Sequence, residues 1–223
     1  MRRRLFLSYY RAVNTGHRNT VHVLEVGFGN LPSLRRVLSQ MGVSVTPIDS
    51  ASEVLSVPHL IIPGVGSFQT AMQHLKQNGF IESLKERCLK RKLPTLGICL
   101  GAQILLEEGH EGGISRGIGV FAGTVERSDI HLSTPESHTG WDTVEIIRNI
   151  LGFKAHTRAD FFFNHDYIFV PKETSEVYAT VNHGGSFPVI LKKYNTYAIQ
   201  FHPEKSQTSG LSMIRAFLRS GNV

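Results

Sequence analysis

The run Thr95-Leu96-Gly97-Ile98-Cys99-Leu100-Gly101-Ala102-Gln103-Ile104-Leu105-Leu106 follows Pro94, and its reading decides the fold class. It begins as a short apolar stretch of strand length, and a glycine lies two residues to each side of Cys99. A buried strand that turns abruptly into a helix is the repeating unit of parallel sheets covered by helices. The same alternation precedes it. Apolar runs at 21–26, 43–48 and 59–62 read as strands, and periodic segments at 31–41, 68–77 and 81–90 read as helices. In the last of these, Ile81, Leu84, Cys88 and Leu89 recur at helical spacing, so Cys88 is expected in the core of a helix.

The second half has a different texture. Segments 119–126, 143–147, 161–169, 177–181, 189–193 and 197–201 are rich in Val, Ile, Phe and Tyr and are separated by turn residues, which predicts strands. A closing helix fits 210–219, and the five glycines of 109–119 predict a surface loop. The expectation is one α/β domain over 20–223, with a largely parallel central sheet flanked by helices and an added antiparallel β region. Residues 1–19 read as a basic, poorly ordered extension.

Charge supports that division. The chain of 223 residues carries 24 Lys+Arg against 18 Asp+Glu, but Arg2, Arg3, Arg4, Arg11 and Arg18 all precede Thr20, which leaves 19 against 18 for the remainder. A nucleic-acid-binding domain spreads its basic residues over a folded face, so no nucleic-acid partner is expected. The apolar stretch after Arg4 is interrupted by Arg11 and fails as a secretory signal, and no window spans a bilayer. The two cysteines, Cys88 and Cys99, form neither a disulfide framework nor a zinc motif, which fits a cytoplasmic protein without a bound metal.

Chemistry concentrates in three strings. Gly97-Ile98-Cys99-Leu100-Gly101 has the small-x-nucleophile-x-small form of a strand-to-helix elbow, with cysteine in place of the usual serine. At such a turn the thiol sits near backbone N–H groups that favour its thiolate and can hold an oxyanion; the competing reading is a structural cysteine between two packing glycines. A cysteine nucleophile needs a base. His202 follows the apolar run 197–201, is fixed by Pro203, and has Glu204 two residues later, so a Cys99, His202, Glu204 order satisfies triad logic. Pro63-Gly64-Val65-Gly66-Ser67 follows a strand and opens a helix, a turn suited to presenting N–H groups. Gly27-Phe28-Gly29 does not extend to a dinucleotide fingerprint because Pro32 occupies the third glycine position. No phosphate loop or HExxH string is present.

Taken in order, Pro63-Gly64-Val65-Gly66, Gly97-Ile98-Cys99-Leu100-Gly101-Ala102-Gln103 and Phe201-His202-Pro203-Glu204-Lys205-Ser206 resemble the class I (triad) glutamine amidotransferases. Within them, Gly27-Phe28-Gly29-Asn30-Leu31, the PGVG turn, Gly140-Trp141 and His202-Pro203-Glu204-Lys205-Ser206 are most similar to the glutaminase subunits of imidazole glycerol phosphate synthases. The resemblance covers 21–217 and implies a single-domain amidotransferase fold. It implies that Cys99 attacks glutamine, His202 moves the proton and Glu204 orients His202. It further implies oxyanion donors at Leu100 and in Gly64, Val65 and Gly66, with Gln103, Asp166 and Tyr167 binding substrate. No cofactor is implied.

The resemblance also implies a partner: a cyclase subunit with a (β/α)₈ barrel, in a 1:1 heterodimer, that receives ammonia and acts in histidine biosynthesis. His138, Trp141 and Lys205 match positions expected near that interface. Several residues depart from the family pattern: Glu25, Ala102, Thr139, Asp142 and Asn164-His165-Asp166-Tyr167. Asp166 falls where a hydroxyl residue is usual. These departures leave open a paralogue that feeds ammonia to sugar amidation in surface-polysaccharide synthesis, or a weakly catalytic binding subunit.

Overall fold

The computed structural model describes residues 20–25, 27, 31–128 and 137–220. The expected extension at 1–19 and the Phe28-Gly29 pair lie outside the described residues.

Strand β1 (Thr20–Leu24) leads to helix α1 (Leu31–Gln40), strand β2 (Ser44–Ile48) and strand β3 (Leu60–Ile62). Helices α2 (Phe68–Gln77) and α3 (Phe80–Lys85) precede β4 (Thr95–Ile98), the one-turn helix α4 (Leu100–Gln103) and β5 (Leu106–Gly109). Then follow β6 (Ser115–Arg116), β7 (Phe121–Arg127), β8 (His138–Ile146), β9 (Arg158–His165), β10 (Tyr167–Pro171), β11 (Val177–Asn182), β12 (Ser186–Lys193), β13 (Thr196–Ile199) and α5 (Gln207–Arg219). The main sheet has the order β2-β1-β3-β4-β13-β12-β11-β8-β9, and a smaller one runs β10-β7-β5-β6. Strands β2, β1, β3, β4 and β13 are mutually parallel, and the rest of the main sheet is antiparallel.

Burial on both faces explains the apolar strands. Leu60 and Ile62 join one core cluster while Ile61 joins the other, as strand alternation requires. Helix α5 buries Gly210, Met213, Ile214 and Phe217, and α2 buries Phe68, Ala71, Met72 and Leu75, each a stripe at three- and four-residue spacing. Ser67 caps α2 by accepting from the Thr70 N–H. Phe68 and Ala71 share their cluster with Phe121, Val125 and Phe169, so the small sheet and α2 pack on the same side of the main sheet.

Four expectations need correction. The helix after Cys99 ends at Gln103, because Leu106 enters β5; the run Ile104-Leu105-Leu106 is wholly buried and has no polar face to reveal its period. The expected strand at 161–169 is two strands, β9 and β10, which part at Asp166 into different sheets. The glycine-rich segment contains β6 paired with β5, and Glu111 accepts a hydrogen bond from the Phe68 N–H. The helix expected at 81–90 widens to π geometry over Glu86–Lys90.

That widened turn carries Arg87, a fully buried guanidinium. It donates to the carbonyls of Val54, Val57, Pro58 and Pro94 and to the Thr95 hydroxyl. Burial lowers its pKa to about 10, so it stays charged. With five acceptors and no carboxylate among them, Arg87 ties the entry of β3 to the entry of β4. Those two strands deliver the turns that build the site at their opposite ends.

Candidate active site

Strands β4 and β13 are parallel neighbours with Ile98 paired to Ile199, so their chains leave the sheet at one rim. Cys99 stands one residue past β4, and its N–H donates to the Ile199 carbonyl at 2.9 Å. Its backbone has φ 52 and ψ −115, a region that L residues rarely occupy. The elbow glycines explain how this is held. A Cβ on Gly101 would come 1.8 Å from the Ile62 carbonyl oxygen, and one on Gly97 would come 2.6 Å from the Gly101 oxygen. Only glycine lets β4, the turn and the end of β3 approach so closely.

The Pro63-Gly64-Val65-Gly66 turn lies against the same elbow. A Cβ on Gly64 would meet the Gly101 nitrogen at 2.4 Å and Leu100 Cβ at 2.8 Å. Gly66 has φ +106, which a side chain would strain, and Val65 is exposed. Of the four residues expected to offer oxyanion donors, Gly64 thus packs against the Leu100-Gly101 backbone that follows Cys99, and Val65 and Gly66 continue the same turn outward. Pro63, Gly64 and Val65 also line a cleft with Leu34, Ile98, His202 and Glu204.

His202 is buried, and its position is fixed by main-chain bonds. Its N–H donates to the Phe162 carbonyl at 2.9 Å, and its own carbonyl accepts from the Ser206 hydroxyl at 2.6 Å. Ser206 in turn accepts from the Phe162 N–H at 2.9 Å, which closes a ring between β9 and the histidine turn. Gly210 admits Pro203 because a Cβ there would come 1.9 Å from the Pro203 oxygen. His202 Nδ1 lies 2.8 Å from Glu204 Oε1, which leaves Nε2 for Cys99. Burial opposes the imidazolium, but the hydrogen bonds it donates to Cys99 and Glu204, together with their negative charge, outweigh it and raise His202 to about 9.

Two polar residues were not singled out from the sequence. Gln200, fully buried, directs Nε2 at Cys99 Sγ over 3.8 Å and accepts from Gln103 Nε2 at 3.2 Å. Gln103 Nε2 also reaches the Tyr167 carbonyl at 3.4 Å. Gln200 sits within an apolar stretch one residue past β13, and a buried amide there was the available signal. Ser206 belongs to the quoted histidine string, yet its role depends on β9, far away in sequence.

Asp166 is exposed at the turn between β9 and β10, with its backbone carbonyl bonded to the Ser128 N–H, and Tyr167 is half-buried beside it. Trp141 is 49% exposed and meets Phe162 edge to face; Lys205 Nζ stands 5.5 Å from the same ring. His138, expected with them, is buried instead, stacked 4.0 Å from both Phe163 and His183. Burial foremost, then His183, lowers its pKa to about 4. Nearby His165 falls to about 3, again mainly through burial.

Among the described residues no helix is long and apolar enough to cross a membrane. Residues 22–220 match the family described as "Glutamine amidotransferase class-I". A Campylobacter jejuni (strain RM1221) protein named imidazole glycerol phosphate synthase subunit HisH 1 is 36% identical over 200 residues, covering 89% of this chain and 99% of that protein. A Moorella thermoacetica subunit HisH is also 36% identical, over 88% of this chain and 93% of its own length. Among solved structures, a glutamine amidotransferase superposes with TM-score 0.69 at 23% identity over 89% of this chain and 96% of its own. PurLQS from Thermotoga maritima superposes with TM-score 0.73 at 14% identity over 91% of this chain and 98% of the matched one. These structural likenesses carry the fold, and the sequence matches carry the kinship: the chain belongs to the class I glutamine amidotransferase family.

Proposed function

We propose that this chain is the glutaminase subunit of an imidazole glycerol phosphate synthase, hydrolysing glutamine to glutamate and ammonia through Cys99, His202 and Glu204. The observation that carries the chemistry is the buried line Cys99, His202, Glu204, with the 2.8 Å contact between the last two. The pathway assignment rests on the HisH relatives, matched over nearly their whole length.

In this reading the Cys99 thiolate adds to the side-chain amide carbon of glutamine, and the carbonyl oxygen becomes an oxyanion. N–H groups of Leu100 and of the Gly64-Val65-Gly66 turn hold that oxygen; each such donor is worth about 10²–10³ in rate. Collapse breaks the C–N bond as the His202 imidazolium gives its proton to the leaving nitrogen, which departs as ammonia. Water then adds to the γ-glutamyl thioester while His202 takes its proton. The C–S bond breaks and glutamate leaves. Gln103, Asp166 and Tyr167 bind the substrate.

Ammonia is useful only where it escapes bulk protonation, so the chain works as a 1:1 heterodimer with a cyclase subunit built as a (β/α)₈ barrel. Trp141 and Lys205, which flank Phe162, offer the aromatic and cationic contacts of that docking face. A cytoplasmic location fits such a partner.

Ammonia release from glutamine, measured for the chain alone and with the histidine-pathway cyclase and its precursor ligand, tests both parts. Stimulation by the loaded cyclase that is absent in Cys99→Ala supports the proposal. Hydrolysis indifferent to the cyclase would overturn the pathway assignment, and no hydrolysis in either state would overturn the catalytic one.

A further inference from the structure

Strand β8 and the turn after β11 bring together three potential metal ligands, His138 and Asp142 from the strand and His183 from the turn. His138 Nε2 lies 3.2 Å from Asp142 Oδ2, and His183 Nδ1 lies 3.4 Å from the same oxygen. All three ligand atoms fall within 4.8 Å of one another. Bonds of about 2.0–2.1 Å in tetrahedral geometry place ligand atoms roughly 3.3 Å apart. Two of the three edges of such a face are already formed.

The state of His138 is the second, independent observation. The residue is 2% exposed, and its Nε2 is buried without a well-aligned hydrogen-bond partner. At 3.2 Å the Asp142 carboxylate is in ionic contact with that nitrogen, but the angle is too poor for a well-aligned hydrogen bond. A buried imidazole nitrogen held against a carboxylate without good alignment costs free energy that a cation shared between the two would recover. We propose that His138, Asp142 and His183 form a binding site for a divalent borderline transition metal of the zinc class.

Two imidazoles and one carboxylate match that class by ligand softness, in contrast to the all-oxygen sets of calcium or magnesium. Three protein ligands leave a fourth position for water on the open side, where His183 and Asp142 side chains are 29% and 26% exposed. The third edge closes by a side-chain turn. The His138 and His183 rings stack 4.0 Å apart with planes 17° from parallel, so one must rotate to bring its lone pair onto the ion. His183 can do so, because it lies past the end of β11 in the turn before β12. The bound ion clips that turn to β8, the strand that also presents Trp141.

The test is zinc titration of the metal-stripped chain by calorimetry, in a Cys99→Ala background so that the elbow thiol does not compete. One equivalent should bind, and Co²⁺ in its place should give the strong visible bands of a four-coordinate site. Asp142→Asn and His183→Asn should each weaken binding by at least about a hundredfold. In chains that retain Cys99, both substitutions should leave metal-free glutamine hydrolysis unchanged. His183→Asn lies in a turn, so it carries the comparison should Asp142→Asn fail to fold. Absence of binding, or equal affinity in His183→Asn, would overturn the site.

Discussion

Nδ1 of His202 stands 2.8 Å from Oε1 of Glu204, and both side chains are almost wholly buried. A carboxylate so placed fixes the ring tautomer and favours the imidazolium that must form during proton transfer. Pro203 separates the two in sequence, and a single turn of 3-10 helix over Pro203–Lys205 folds Glu204 back onto the ring.

Glu204→Gln keeps the shape and removes the charge. Glutamine hydrolysis should fall by about 10² or more. The ring titration that stands at about 9 should move down toward the ordinary 6.5, read from the His202 ring resonances over a pH series. The raised value also links to folding. Its stabilisation is complete below about 6.5 and is lost as pH rises through about 9, and the variant should lose less across that window.

The buried pair His138 and His165 acts with the opposite sign. Their folded values, about 4 and about 3, lie below the 6.5 of an unfolded histidine, so the unfolded chain binds more protons in between. Stability should therefore decline as pH falls below about 6.5 and level off near the folded values. Urea midpoints against pH will show the slope, and His165→Gln should flatten it.

The φ of 52 at Cys99 is strained for any residue with a Cβ. Cys99→Gly and Cys99→Ala should both abolish hydrolysis, yet the glycine variant should be more stable than the alanine one by about 1 kcal/mol or more. Equal denaturant midpoints would show that the elbow stores no strain.

Gln200 contacts two side chains of the candidate site at once, the Cys99 thiol and the Gln103 amide. Gln200→Leu should raise KM, because Gln103 loses the side-chain one of its two acceptors, and should shift the pH profile of Cys99 alkylation by iodoacetamide. Gln200→Glu retains an acceptor for Gln103 and should restore KM more than it restores the alkylation profile.

Much of the fold was legible because its signals are local. The apolar runs of β1, β3 and β4 and the three- and four-residue stripes of α2 and α5 are properties of neighbouring residues, and both faces of the parallel strands are buried. Reading failed where locality fails. Ile104-Leu105-Leu106 has no polar member to set a period, and nothing in 161–169 announces that its two halves join different sheets.

The sequence alone determined which residues are available for the chemistry: a cysteine between close-packing glycines, a histidine held by proline with a carboxylate two residues on, and a glycine turn after a strand. Those follow from steric and bonding rules acting over a few residues. Only the tertiary structure decided how they meet, through the parallel register of β4 with β13 and the Ser206 ring that fixes His202 to β9. It also buried His138 against Phe163 while leaving Trp141 exposed on the same strand. The physical reason is that burial and long-range hydrogen bonding depend on which strands pair, and residues far apart in the chain settle that jointly.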